Sequence, residues 1–178
     1  MRGAPEHGPA VTHQAGFWPD HEALLRGLRE EVTWEASMSA RETASFGRPY
    51  NYAQMVYPAR PMHRLLVPVV DALEARLGIA FNNCLLNYYP DQRAKMGFHS
   101  DDVSELVPDT GVAIVSLGAT RRLSFRRRED PEVRAAYSLE GGSLLFMPHA
   151  VQHRWAHALK RQRPPAGPRI SLTWRCFR

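Results

Sequence analysis

After Gly78 the sequence breaks into eight short runs of β-branched, leucine and aromatic residues, separated by turn chemistry. They fall near 82–89, 95–99, 111–117, 122–127, 134–139, 143–148, 152–158 and 168–177, each with the alternation or compact apolar stretch of a strand. Such strands must bury one face against another layer. The pattern predicts an antiparallel double-sheet sandwich or jelly roll. Ahead of Gly78 the period lengthens. Leu24, Leu25, Leu28 and Val32 predict a helix from about Asp20 to Trp34, with Asp20 as its cap. Leu65, Leu66, Val69, Val70, Leu73 and Leu77 predict a second from about Met62 to Leu77, closed by Gly78. Mainly β with two N-terminal helices buttressing one sheet is therefore the expected fold class.

A length of 178 residues suits one core. Residues 1–16 lack periodicity and read as a flexible arm, leaving 17–178 as a single domain. Within it, 41–60 is irregular and aromatic, with Phe46, Tyr50, Tyr52 and Tyr57 among glycines and prolines. Residues Arg161 to Gly167 read as a Pro-rich loop. No apolar run is long enough to span a membrane, and no secretory leader is expected. Cys84 and Cys176 read as reduced thiols in strands, which fits a cytoplasmic protein. A monomer is expected.

Charge is unevenly distributed. Residues 1–89 carry 8 basic and 9 acidic side chains, and 90–178 carry 15 and 9. Only Lys95 and Lys160 of the 23 basic residues are lysine. Arginine suits phosphate and carboxylate recognition, so the excess admits nucleic-acid binding without requiring it.

His99-Ser100-Asp101 sets an imidazole and a carboxylate two residues apart. In extended chain these project to one side, so a single strand end supplies two metal ligands. One more histidine completes the two-His, one-carboxylate face that leaves positions open on Fe(II). His149, His153 and His157 are spaced four apart, and spacing alone does not choose among them. In 168–177, Arg169, Ser171, Thr173 and Arg175 share one strand face, and Ile170, Leu172 and Trp174 share the other. Two inward arginines are costly unless an anion neutralises them, and a dicarboxylate does so. A solvent-facing edge strand is the alternative.

Taken in order, Asn87-Tyr88-Tyr89, His99-Ser100-Asp101, the 153–159 segment HRWAHAL and the 168–175 segment PRISLTWR resemble the AlkB family of nucleic-acid dealkylases. Gly142 to Met147 and Ser116 to Ala119 add to the likeness, which extends from about Arg41 to Arg178. The resemblance implies a double-stranded β-helix core, Fe(II), 2-oxoglutarate as co-substrate, and O2. It selects His157 as the distal iron ligand beside His99 and Asp101. It assigns Asn87, Tyr89 and Arg169 to the distal carboxylate of 2-oxoglutarate, and Arg175 to its C1 carboxylate. Ser171 stands where the family has Asn, with Thr173 beside it. Val103 stands where family members carry an acidic residue that reads the exocyclic amino group of the base. Asp102 and Glu105 flank it.

The implied reaction converts 2-oxoglutarate to succinate and hydroxylates a C–H bond. On an N-methyl group the product collapses to release an aldehyde. Alkylated bases in single-stranded or flipped-base DNA or RNA are the expected partners. Tyr50, Tyr52, Tyr57 and Phe98 are stacking candidates, the first three in a segment resembling the family's substrate flap. Arg121, Arg122, Arg126, Arg127, Arg128, Arg161 and Arg163 are candidate phosphate contacts. Two other readings stand: the same enzyme class acting on a small molecule or protein side chain, and a jelly-roll binding module with structural histidines.

Overall fold

The computed structural model describes residues 8–36, 41–52, 55–162 and 166–178, without the side chain of Tyr52. Strands and helices are numbered along the chain. A seven-stranded antiparallel sheet runs in the order β1 (Thr12–Gln14), β11 (Leu144–Pro148), β8 (Gly111–Gly118), β13 (Arg169–Arg175), β6 (Asn83–Tyr89), β3 (Glu42–Gly47) and β2 (Glu35–Ala36). A four-stranded antiparallel sheet has the order β10 (Arg134–Leu139), β9 (Arg121–Arg127), β12 (Trp155–Leu159) and β7 (Met96–His99). The strands β4 (Tyr50–Tyr52) and β5 (Met55–Tyr57) pair as a separate hairpin.

Two apolar clusters hold these layers. On one side of the larger sheet, Leu24, Leu25 and Leu28 of α1 (His21–Glu31) and Val69 and Leu73 of α2 (Val67–Leu77) pack with Leu86, Val115, Leu172 and Trp174. Burying each such side chain contributes about 1.5–3 kcal/mol. Between the sheets, Val112, Ile114, Leu145 and Met147 from the larger meet Leu123, Phe125, Leu139 and Trp155 from the smaller. This is the mostly β, antiparallel architecture expected, consistent with a jelly-roll core, and the two helices do buttress one sheet. No described helix is long and apolar enough to cross a membrane.

The differences are local. Thr12–Gln14, expected in a loose arm, adds a strand to the edge of β11. The segment read as irregular contains β3, β4 and β5; Ala44, Ser45 and Phe46 pair with Leu86, Leu85 and Cys84. The second helix starts at Val67, later than expected, because Pro68 lacks an N–H and fits only the first turn. The run expected as a strand over 152–158 begins instead in α3 (His149–Arg154), and extended chain starts at Trp155.

Candidate active site

His99 ends β7 and His157 lies in β12, and the two are direct cross-strand partners. Their rings sit 4.4 Å apart between centroids. Asp101, two residues beyond β7, reaches back so that its Oδ1 lies 3.5 Å from His99 Nε2 and 3.7 Å from His157 Nε2. The donor atoms of the three residues all lie within 4.8 Å of one another. That is a triangle of two imidazole nitrogens and one carboxylate oxygen, the donor set of a facial Fe(II) site. His99 Nδ1 is 2.8 Å from the Gly97 carbonyl, which as acceptor leaves Nε2 unprotonated toward the triangle.

Electrostatics favour the ligand forms of Asp101 and His157, whereas His99 is drawn toward its protonated form by Asp101. Arg175 donates to Asp101 Oδ2 at 2.9 Å, with both side chains nearly buried. Burial alone would raise the Asp101 pKa, but Arg175 and the two histidines outweigh it and hold the carboxyl far below the usual range. One oxygen is thus held by the guanidinium while the other faces the imidazoles. Burial pushes His157 down to about 4, so its ring is neutral near pH 7. For His99, Asp101 and the Gly97 carbonyl overcome burial and raise the pKa.

Next to the triangle is a cavity lined by Asn87, Tyr89, Arg169, Ser171, Thr173 and Arg175, with Leu85, Ile114, Leu139 and Leu159 among its apolar walls. Arg169 is 2% exposed and has no carboxylate partner among the described residues. Its Nη2 donates to Ser116 Oγ at 3.0 Å, its guanidinium lies 5.3 Å from the Tyr89 ring centroid, and its Nε has no partner. Burial lowers its pKa to about 10, so it stays charged. A buried cation facing a cavity without a counter-ion fits a bound carboxylate. The amide oxygen of Asn87 is likewise buried without a partner. All six residues expected around the co-substrate therefore face one space. The ion pair from Arg175 to Asp101 was not expected.

The candidate substrate residues divide. Tyr50 lines an open recess with Arg48, Asn51, His99, Asp101 and Glu105, 4.7 Å from the Arg175 guanidinium and 5.3 Å from the Phe177 ring. Tyr57 does not reach it: this residue is buried, and its hydroxyl bonds Thr43 Oγ1 and Met55 Sδ. The Tyr52 side chain lies outside the described residues. Phe98 and Val103 line a second recess beside His99 and Asp101, and Val103 also packs on the inter-sheet cluster. Asp102 accepts from Ser104 N–H at 2.8 Å.

The other histidines stay outside the triangle. His149 Nε2 is 3.3 Å from Thr110 Oγ1, and His153 is exposed. Equal spacing in sequence was misleading because a helix carries the first two and a strand the third. Arg121, a candidate phosphate contact, is buried and donates to the carbonyls of Ala94 and Lys160. Arg163 lies outside the described residues. Two contributors went unread: Gln152, whose Oε1 accepts from Asp101 N–H at 2.8 Å, and Ser116 beneath Arg169. Ser116 carried a signal, a polar residue in an apolar strand; Gln152 carried none.

Comparison with known proteins agrees with this site. A family model described as the 2OG-Fe(II) oxygenase superfamily matches residues 14–175. The chain is 32% identical over 159 residues to the alpha-ketoglutarate-dependent dioxygenase alkB homolog 3 of Bos taurus, covering 84% of this chain and 54% of that protein. It thus spans about half the length of that relative. It is 32% identical over 176 residues to the DNA oxidative demethylase ALKBH2 of Mus musculus, covering 86% of this chain and 74% of the relative. The solved structure of OsALKBH1 superposes with a TM-score of 0.64 at 16% identity, over 94% of this chain and 98% of that one. On the matched residues and these relatives, the chain belongs to the 2OG-Fe(II) oxygenase superfamily and, within it, to the AlkB family.

Proposed function

We propose that this protein oxidatively demethylates N-alkylated bases in DNA or RNA, acting on single strands or flipped-out nucleotides. The observation that carries the reading is the meeting, in one inter-sheet cavity, of the His99–Asp101–His157 triangle and the buried Arg169, which has no carboxylate partner among the described residues. The similarity to a DNA oxidative demethylase supports the substrate class.

In this reading His99, Asp101 and His157 hold Fe(II), and Arg169 holds the distal carboxylate of 2-oxoglutarate, with Asn87, Tyr89, Ser171 and Thr173 around it. Bound there with O2, the pair supplies the oxidising power that hydroxylates a substrate C–H bond as 2-oxoglutarate becomes succinate and CO2. The chain does the rest. Arg175 keeps Asp101 ionised and oriented. The Gly97 carbonyl fixes the His99 tautomer. Leu85, Ile114, Leu139 and Leu159 keep the cavity walls apolar and limit water. Tyr50 borders the recess by which a base would approach. Hydroxylation at a methyl carbon on nitrogen yields a hemiaminal that releases formaldehyde. Two free cysteines, Cys84 buried and Cys176 half-buried, support a reducing, cytoplasmic setting; we take the working unit to be a monomer.

Val103 favours a second reading, the same chemistry on a small molecule or protein side chain, because its position offers no acceptor for a base amino group. Succinate release with methylated single-stranded DNA, against a no-substrate control, separates the two. Stimulation by the methylated strand with release of formaldehyde supports demethylation. Co-substrate binding without stimulation by any lesion-bearing strand overturns it.

A further inference from the structure

The outward face of the four-stranded sheet carries a feature the catalytic site does not use. A trough there is lined by Phe98, Arg122, Ser124, Arg134, Lys160 and Arg161. Its floor is made of small residues, since Ser124 pairs with Ala136 on one side and Ala158 on the other. Arg122, Arg134, Lys160 and Arg161 are exposed, and no acidic side chain lines the trough among the described residues. Glu129, Asp130 and Glu132 lie in the turn between β9 and β10 and are not among its lining residues.

Two details argue against an ordinary solvated face. Arg126 and Arg134 are direct cross-strand partners, so two like charges share one side of adjacent strands, an arrangement that destabilises a sheet unless an anion offsets it. Phe98 is half-buried with the Arg126 guanidinium 4.2 Å from its ring centroid and the Lys160 ammonium 5.2 Å away. It sits at the junction of two recesses. It lines the trough and also the recess that holds His99, Asp101 and Arg126 to Arg128. A ligand lying along the trough would therefore run past Phe98 to the metal triangle.

We propose that this face is a track for one strand of nucleic acid. Arg122, Arg134, Lys160 and Arg161 hold successive phosphates, and Phe98 stacks a base as the strand turns toward the site. Cationic grooves with an aromatic platform bind single strands of either sugar without reading sequence. The inference rests on the demethylase reading and adds to it a surface leading away from the iron ligands that sets affinity for long substrates.

The test is fluorescence anisotropy of fluorescein-labelled 20-nucleotide oligothymidylate and oligouridylate, across a salt series, with the metal- and 2-oxoglutarate-loaded protein. The Arg122→Ala/Arg134→Ala variant should bind at least about 10-fold more weakly, and its salt slope should fall by about 1.4, near 0.7 for each lost phosphate contact on a single strand. Removing the same charge from the helix side, by Arg26→Ala/Arg76→Ala, should leave the slope unchanged. Phe98→Ala should weaken binding about 10-fold with the slope intact. Equal affinity and slope for wild type and Arg122→Ala/Arg134→Ala overturns the track and leaves the demethylase reading standing. Wild-type protein that binds 2-oxoglutarate but neither oligonucleotide overturns the track, while the demethylase reading falls only if no lesion-bearing strand stimulates turnover. A 20-residue polyglutamate bound as tightly as the oligonucleotides, with no effect of Phe98→Ala, overturns the nucleic-acid assignment of the trough.

Discussion

Arg169 makes the sharpest test of the co-substrate site, because its charge is a liability without a ligand and an asset with one. The residue is 2% exposed and donates to Ser116 Oγ at 3.0 Å. Arg169→Met removes a buried charge of similar volume, so the free protein should be as stable as wild type or more so. What it should lose is stabilisation by 2-oxoglutarate. At a ligand concentration of 100 times Kd, that amounts to about 2.7 kcal/mol in wild type. Arg169→Lys keeps the charge but replaces a fork by a point. Losing one charge-assisted hydrogen bond, worth about 1.5–3 kcal/mol, weakens 2-oxoglutarate by roughly 10- to 150-fold. Burial already lowers the guanidinium to about 10. The same burial acting on a lysine also lowers its pKa, from an ordinary value near ~10.4. The lysine variant's 2-oxoglutarate affinity should therefore fall more steeply than that of wild type as pH is raised and the buried ammonium loses its proton. Thermal unfolding with Mn(II), with and without 2-oxoglutarate, measures both effects. A methionine variant that is still stabilised by 2-oxoglutarate as strongly as wild type would refute the assignment.

Asp101→Ala should abolish metal binding by calorimetry. It should also destabilise the metal-free protein by about 3–5 kcal/mol, because it strips the buried Arg175 of its carboxylate; an unchanged denaturation midpoint would argue against that pairing. Gln152→Leu should leave turnover possible but weaken metal affinity about 10- to 100-fold, since the Asp101 N–H loses its acceptor; unaltered affinity would reduce Gln152 to packing. Val103→Glu should shift activity in a single-lesion oligonucleotide panel toward 1-methyladenine and 3-methylcytosine, whose parent bases carry an exocyclic amino group. An unshifted panel would mean that Asp102 or Glu105 already supplies the acceptor.

The strands that build the cavity were legible because period-2 alternation states which side chains share a face. Arg169, Ser171, Thr173 and Arg175 are the clearest instance, and all four line the cavity. The metal pair in His99-Ser100-Asp101 was legible from its spacing, although Asp101 lies beyond the end of β7 and reaches back to the triangle. What could not be read was anything set by tertiary partners. His149, His153 and His157 are equivalent by spacing, and only the change from α3 to β12 separates them. Tyr57 and Tyr50 are both aromatics in one glycine- and proline-rich segment, yet the β4–β5 hairpin carries one into the core and leaves the other at the mouth. Likewise Arg121 and Arg122 are neighbours in a basic run. Alternation in β9 turns the first inward onto backbone carbonyls and the second out onto the trough.

The last strand ties stability to site assembly. On one face of β13, Ile170, Leu172 and Trp174 are fully buried against the helices and anchor the larger core. On the other, Arg169, Ser171, Thr173 and Arg175 supply the cavity's cations and hydroxyls. Pairing with β6 and β8 on both sides sets the register: Ser171 lies between Asn87 and Ser116, and Thr173 between Leu85 and Ile114. A slip of one residue would turn both arginines toward α1 and α2 and move Trp174 into the cavity, losing core and site together. Burial of three large apolar side chains, at about 1.5–3 kcal/mol each, opposes that slip and so holds the arginines in the cavity. The apolar face thus supplies energy that keeps the buried Arg169 where an incoming carboxylate can meet it. No stabilising contact of the guanidinium itself is needed before the ligand arrives.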